Sequence, residues 1–456
     1  MPHTSQVPQV TLWAYALPGF VLAMPTIPAY LFLPTLYAQE IGLAAAGLAL
    51  LLARVVDVFT DPIVGALSDN TNSRWGRRKP WIIIGGIIAG LSLVQLFEPP
   101  QFVTMTYLIT WSIFLYIGWT FINVPYTAWG AELSPDYYQR VRITSAREGL
   151  MVLGILAAGA MPFFAAQTGI SEREGLAAIS WLAVLLGIPF LTLLVCRVPE
   201  SRNTNTFDPS RPSDRSSLNS LKKLSAALST NLPFVRLLSA WFINGLANGI
   251  PAVLFLLFLD HGMDADQVQR SMLIFFYFLA AVLAIPFWLR TSLRIGKNRT
   301  WCIAMICTCL AFVWVPALGP GDIYLFAIIC VVSGIGLGAD LALPPALQAD
   351  VVDYDTLRHG KARAGIFFAL WSMATKLALA LAVGITFPLL DFFGFSTDGH
   401  NAPSTLLVLA VIYSIVPVVM KIVSIFLIWN FPLTAGRQAI IRARLESRQQ
   451  RAAEEA

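Results

Sequence analysis

The sequence predicts an all-α polytopic membrane protein, with twelve transmembrane helices in two six-helix pseudo-symmetric bundles. Three observations predict it. Only 12% of the residues are charged and 57% are hydrophobic, about half the charge of a soluble domain, which carries roughly a quarter. The charge that remains clusters in short loops. Between the clusters lie apolar runs of roughly 20 to 30 residues, long enough to cross a ~30 Å hydrocarbon core at ~1.5 Å per residue. Finally, strongly basic loops alternate along the chain with loops that are not basic, as orientation in a membrane requires.

Taken in order, the expected spans are 11–37, 42–69, 80–98, 103–131, 143–167, 174–196, 235–259, 267–289, 301–318, 323–347, 363–391 and 403–430. Residues 1–10 lack a basic leader region, and the apolar stretch from Thr11 is too long for a signal sequence, so it is expected to remain as span one. Prolines within spans, such as Pro18, Pro62, Pro125, Pro251 and Pro344, are tolerated because neighbouring helices re-satisfy the freed backbone groups.

With the N-terminus in the cytoplasm, the cytoplasmic loops hold Arg74, Arg77, Arg78 and Lys79, then Arg140 and Arg142, the basic residues of 197–236, Arg290 to Arg299, and Arg358, Lys361 and Arg363. The opposite loops hold only Arg173 and Arg270. Both termini are therefore expected in the cytoplasm. The expected organisation is an N-terminal bundle (1–196), a hydrophilic central linker (197–234), a C-terminal bundle (235–431) and a tail (432–456). Within the linker, 218–230 has the pattern of a short amphipathic surface helix or of a plain linker.

The two halves echo one another. RWGRRKPW (74–81) and RIGKNRTW (294–301) each place a Gly and basic residues before a Trp that opens a helix. PYTAWGAE (125–132) and PPALQAD (344–350) each close a span and precede a basic loop. Each is followed by a helix with one unexpected cation, Arg147 or Lys376.

Composition also excludes. The net charge of +5 sits at span ends rather than on one face with interleaved aromatics, which argues against nucleic acid as a partner. The five cysteines have no CxxC spacing and read as unpaired thiols. The four histidines lie in termini or loops, and HExxH, GxSxG and P-loop patterns are missing from the sequence, so an enzyme is not expected.

The informative residues are charges inside spans, each costing roughly 2.5–3.5 kcal/mol at the bilayer centre. In ARVVDVFTDPIVGALSD (53–69), Arg54, Asp57 and Asp61 share one helical face. Two carboxylates four residues apart repel unless a cation or proton intervenes. Thr60 adds a hydroxyl, and Pro62 frees a carbonyl. Oxygen ligands of this kind suit Na⁺, Li⁺ or a shared proton; the alternative is that Arg54 merely neutralises the pair. Lys376 lies too deep in span eleven to snorkel, so Asp57 or Asp61 across the interface, or Asp340 within its own half, is its expected partner. Arg147 is expected to face a substrate rather than its neighbour Glu148, because adjacent helical residues point to different faces. Lys421 reads as a snorkelling anchor. Trp119, Asn123, Tyr126 and Thr127 in span four and Trp371 in span eleven are candidates for stacking on and hydrogen bonding to a sugar.

The stretches DVFTDPIVGALSDNTNSRWGRRKPWIIIGG (57–86) and ADVVDYDTLRHGKARAGIFFALWSMATKL (349–377), with NVPY (123–126) and Arg147, resemble the glycoside–pentoside–hexuronide:cation symporter family over nearly the whole chain. The resemblance implies the major facilitator fold and alternating access. It implies a sugar or glycoside carried with a monovalent cation (Na⁺ or H⁺, with Li⁺ a further candidate), no other cofactor, and a monomer in a bacterial inner membrane. It makes Asp57, Asp61, Thr60 and Thr120 the cation site, Lys376 its coupled lysine, and Arg147 the arginine of the sugar cavity. Arg74, Gly76, Arg77 and Arg78 would form the conformational gate, bridging to acids such as Asp69, Glu132 or Asp136. Asn123 and Thr127 stand where the family's melibiose permeases carry an aspartate and a tryptophan, and 11–37 holds no acid. A carboxylated or sulfonated sugar, or a lysolipid-like amphiphile, is therefore the alternative substrate.

Overall fold

The computed structural model describes residues 7–71, 73–134, 137–200, 231–359, 364–397 and 401–454. Among them are twelve helices long and apolar enough to cross a membrane, one for each expected span. Spans two to six are Leu43–Asn70, Lys79–Phe97, Met105–Glu132, Tyr137–Gln167 and Glu172–Arg197. Spans seven to twelve begin with Leu232–Leu257 and Gln267–Ile295, continue with Lys297–Phe312 and Ile323–His359, and end with Ala364–Phe392 and Pro403–Trp429. Span one is built from Gln9–Ala23, a π-helical stretch Pro28–Phe32 and Leu33–Ile41. Pro25 and Pro28 each withhold an N–H there, and the ladder widens rather than breaks.

Two segments differ from expectation. Span ten runs well past residue 347 to His359, because Leu347, Val351 and Asp355 keep a buried face going beyond the apolar run. The tail contains a helix, Ala435–Glu454, docked on span ten by the Gln438 amide, which donates to Asp353 Oδ2 at 2.9 Å, and by buried Ile441. Residues 201–230 of the linker, including the possible helix at 218–230, lie outside the described residues. Just after them, Asn231 Oδ1 caps span seven by accepting from the Phe234 N–H at 3.1 Å.

The halves repeat one packing scheme. Span one packs on five and six, two on four, and three on four and six; six spans later, seven packs on eleven and twelve, eight on ten, and nine on ten and twelve. Across the middle, two meets eleven and five meets eight, which are the same pair under that repeat. At the end away from the basic loops, spans two and eleven touch closely. A Cβ on Gly47 would lie 2.8 Å from Phe387 Cβ, and one on Gly384 would lie 2.7 Å from Leu51 Cβ. Phe163 and Phe275 stack there at 6.0 Å, Gln267 donates to the Ile170 carbonyl at 2.9 Å, and Arg270 lies 3.6 Å from Glu172.

Lys421 is not a snorkelling anchor. It is only 5% exposed, and its ammonium donates to Asn244 Oδ1 at 2.8 Å and Asn248 Oδ1 at 2.7 Å. Asp340 Oδ2 lies 3.7 Å away and accepts from the Asn248 amide at 2.7 Å, while Trp301 Nε1 donates to Oδ1. Asparagines one turn apart on span seven face span twelve at this depth, so the cation is satisfied inside the bundle. A charge pair removed from water is tolerable only when its remaining donors and acceptors are met in this way. The network occupies Asp340 inside the C-terminal half, and the competing pairing of Asp340 with Lys376 is not formed.

Candidate cation and substrate site

A cavity of about 1200 Å³ lies between the halves, walled by spans one, two, four, five and eleven. The close contacts of spans two with eleven and five with eight shut it at one end. Toward the basic loops its walls reach Thr127, Ala128, Glu148 and Phe368, and the Glu148 side chain is 51% exposed. The cavity therefore opens at the basic end. Its closed end is roofed by Arg54, whose guanidinium sits between the Tyr30 and Tyr116 rings at 4.4 and 4.7 Å from their centroids and donates to Tyr30 Oη at 3.3 Å.

Asp57 and Asp61 project from span two into this cavity, and Lys376 reaches both from span eleven. Its Nζ is 2.7 Å from Asp57 Oδ1 and 2.8 Å from Asp61 Oδ1. Thr120 Oγ1 donates toward Asp61 Oδ1 at 2.9 Å and lies 3.4 Å from Asp57 Oδ1. Thr60 sits behind, 3.3 Å from Thr120 Oγ1, its hydroxyl donating to the Asp57 carbonyl at 2.9 Å. Ser372, one turn before Lys376, donates to Asp61 Oδ2 at 3.2 Å. Carboxylate, hydroxyl and carbonyl oxygens thus surround the point that the ammonium fills. Such hard ligands suit a small monovalent cation, and one positive charge shared by two carboxylates in low dielectric holds them together.

Farther toward the open end lie Asn123, Thr127 and Trp371, while Trp119 lines the cavity beside Thr120 and Arg147 lines it from span five. Trp371 is held by stacking on Trp241 at 4.7 Å and 14°, and Trp241 Nε1 donates to Thr375 Oγ1 at 2.7 Å. Two expectations change here. Tyr126 does not line the cavity: it is 1% exposed, donates to the Tyr15 carbonyl at 2.6 Å and packs on the Tyr15 ring. Arg147 does pair with its neighbour, Nη2 donating to Glu148 Oε1. The Cβ vectors diverge by a helical step, but both side chains are long and bend into the same cavity.

Around the basic loop, Arg77 and Arg78 converge on Glu132 at 2.8 and 2.6 Å. Glu200 Oε1 accepts from the Arg77 and Arg78 backbone N–H groups at 2.9 Å each. Gly76 adopts φ 105°, and a Cβ there would run into the Glu200 carboxylate. Arg74 is exposed; the Asp69 side chain and Asp136 lie outside the described residues. Both bridges stay within the N-terminal half, so in this conformation they brace one bundle rather than clamp two. The repeat-related pair, Lys297 with Asp350 at 2.5 Å, does the same for the other half. Sequence reasoning missed Glu200, because a lone acid at the edge of a linker carries no periodic signal. Ser372 was missed as well, although its place four residues before Lys376 on one helical face could have found it.

Burial alone would raise the Glu132 carboxyl; the Arg78 hydrogen bonds and the Arg78 and Arg77 charges outweigh it and hold the group below its ordinary value. A carboxyl held low stabilises the fold above its ordinary value and loses that contribution as pH falls through the lowered one. The wild type is expected to exceed Glu132→Gln by about 1 kcal/mol or less near neutrality, the bridge being a third exposed. Thermal melts should show that gap closing in acid. A gap that widens on acidification would contradict the assignment.

A family model described as MFS/sugar transport protein matches residues 14–435. The chain is 25% identical over 431 residues to an isoprimeverose transporter of Lactiplantibacillus pentosus, covering 91% of this chain and 87% of that one. It is 25% identical over 433 residues to the sodium-dependent lysophosphatidylcholine symporter 1 of Homo sapiens, covering 88% and 78%. The crystal structure of a D-xylose-proton symporter superposes with a TM-score of 0.66 at 14% identity, covering 93% of this chain and 98% of that one; this likeness shows the fold alone.

Proposed function

The chain belongs to the MFS/sugar transport protein family, and on that premise we propose how it works as a multi-pass membrane symporter that couples a sugar or glycoside to a monovalent cation. Asp57, Asp61, Thr60 and Thr120 bind the cation, Na⁺ or H⁺. Arg147, Asn123, Trp119 and Thr127 from one half and Trp371 from the other bind the sugar. The basic end is the cytoplasmic face of a bacterial inner membrane, so both termini are cytoplasmic and the cavity faces inward. Residues 1–196 and 235–431 rock as two bodies within a monomer, joined by the linker 197–234 and followed by the tail 432–456, and Arg77, Arg78 and Glu132 keep the gating loop in register.

One observation carries the reading. Lys376 from one half holds two carboxylates of the other at 2.7 and 2.8 Å, on the wall of a cavity large enough for a glycoside. With cation bound, the two carboxylates share its single charge and the ammonium is released; with cation gone to the cytoplasm, Lys376 takes its place. Cation and sugar must then promote each other's binding by equal factors.

Counterflow in proteoliposomes, with a panel of neutral and acidic sugars and with Na⁺ and pH varied independently, tests this. Sugar exchange that responds to one of the two ions is the expected result. Exchange indifferent to both would remove the coupling assignment. Lysophosphatidylcholine belongs in the panel, because Phe368, Met373 and Leu379 make part of the wall apolar and one similar protein is named for that lipid. Transport of the lipid and of no sugar would replace the sugar reading.

A further inference from the structure

Glu148 has no place in the mechanism so far. It is a charged residue inside an apolar span, where ionised groups are costly and functional by default. It lines the same cavity as Arg147, with half its side chain open to that space. Its Oε1 accepts from Arg147 Nη2, whereas Arg147 Nε is buried without a partner. Span one meets the arginine with the Tyr15 hydroxyl and with Gly19, where a Cβ would lie 3.0 Å from the Arg147 carbonyl and 3.3 Å from its Cγ, and not with a carboxylate. The neighbours on span four, Asn123 and Thr127, are uncharged. The remaining cavity carboxylates, Asp57 and Asp61, are taken by Lys376.

We propose that Glu148 is the specificity-determining residue of the sugar site: with Arg147 it forms a fixed donor–acceptor pair that selects uncharged, polyhydroxylated substrates over their carboxylated counterparts. This rests on the sugar-symporter reading and deepens it. An arginine left unpaired in a cavity recruits an anion, since guanidinium and carboxylate match in geometry and charge. Here the arginine already has its carboxylate. A substrate carboxylate would have to displace Glu148 or sit beside it, and like charges at that distance repel. Vicinal hydroxyls both donate and accept, so they bridge the pair, giving a hydrogen to Glu148 and taking one from Arg147. Hydrogen bonds to charged groups contribute about 10- to 150-fold each in affinity.

The test is counterflow in proteoliposomes with neutral pentosides and hexosides and with the matching uronides, for wild type, Glu148→Gln and Glu148→Asp. The wild type is expected to exchange the best neutral glycoside at least about tenfold better than its uronide. Glu148→Gln is expected to weaken neutral-glycoside half-saturation by about tenfold or more and to improve the uronide, because Arg147 is then free. Glu148→Asp, which keeps the charge, should recover the neutral-over-acidic order. Wild-type preference for the uronide overturns the proposal, as does a Glu148→Gln protein with unchanged half-saturation for both classes. Neutral-glycoside exchange lost in Glu148→Gln with no gain for the uronide also overturns it, leaving Glu148 a structural partner of Arg147. If wild type exchanges no sugar of either class, the underlying sugar reading has failed instead, and this proposal falls with it.

Discussion

Asp57→Asn and Asp61→Asn are each expected to lose cation-driven accumulation by about 100-fold while still passing sugar down its own gradient. Each carboxylate gives one oxygen to the point now filled by the Lys376 ammonium, at 2.7 and 2.8 Å. An amide oxygen keeps the shape but not the charge. Losing one charged ligand in a poorly hydrated site costs ~1.5–3 kcal/mol, or about 10- to 150-fold in ion affinity. Downhill sugar flux should survive because Arg147, Asn123 and Trp371 lie farther along the cavity. The Asp57 side chain is 7% exposed and that of Asp61 26%, so Asp57→Asn should also be the less stable protein. The measurement is accumulation ratio against downhill rate in proteoliposomes under an imposed ion gradient. Either variant concentrating sugar as the wild type does would refute the cation site.

Lys376→Met is expected to separate net transport from exchange. The ammonium and the incoming cation need the same oxygens, so the lysine competes with the ion while the ion is bound and substitutes for it once it has left. Without the lysine, two facing carboxylates stay unneutralised whenever the ion is absent, and the empty protein cannot close around them. Zero-trans efflux should fall by about 100-fold, whereas equilibrium exchange at saturating cation should stay within about threefold of wild type. Apparent cation affinity should rise by about tenfold with the competitor gone, a gain of ~1.4 kcal/mol. If exchange and net flux fell together, the lysine would be a structural brace and not a surrogate ion.

Much of this was legible in the chain. The spans followed from apolar length and the repeat from paired loops, because lipid imposes both on sequence. Asp57, Asp61 and Lys376 stood out since their cost in a bilayer demands partners. Rotation of helices was harder to read. In a bundle surrounded by lipid, the outer face is as apolar as the packed one, so no polar stripe told Tyr126, which turns toward Tyr15, from Asn123, which faces the cavity. Depth misled for Lys421: nearness to a span end suggested snorkelling, yet Asn244 and Asn248 supply its oxygens from another helix. Side-chain reach misled for Arg147, where spacing rules for short side chains do not hold.

The glycine seam between helices two and eleven bears on speed. At Gly47 and Gly384 the helices meet almost backbone to side-chain stem, with Ala46, Leu50, Val383 and Phe387 buried around the joint. Parting so close a joint forfeits many dispersion contacts at once, although backbone against stem demands little interlocking of rotamers on rejoining. The outer door therefore resists opening, and the tempo of turnover is set by that seam together with the electrostatic handover deeper inside.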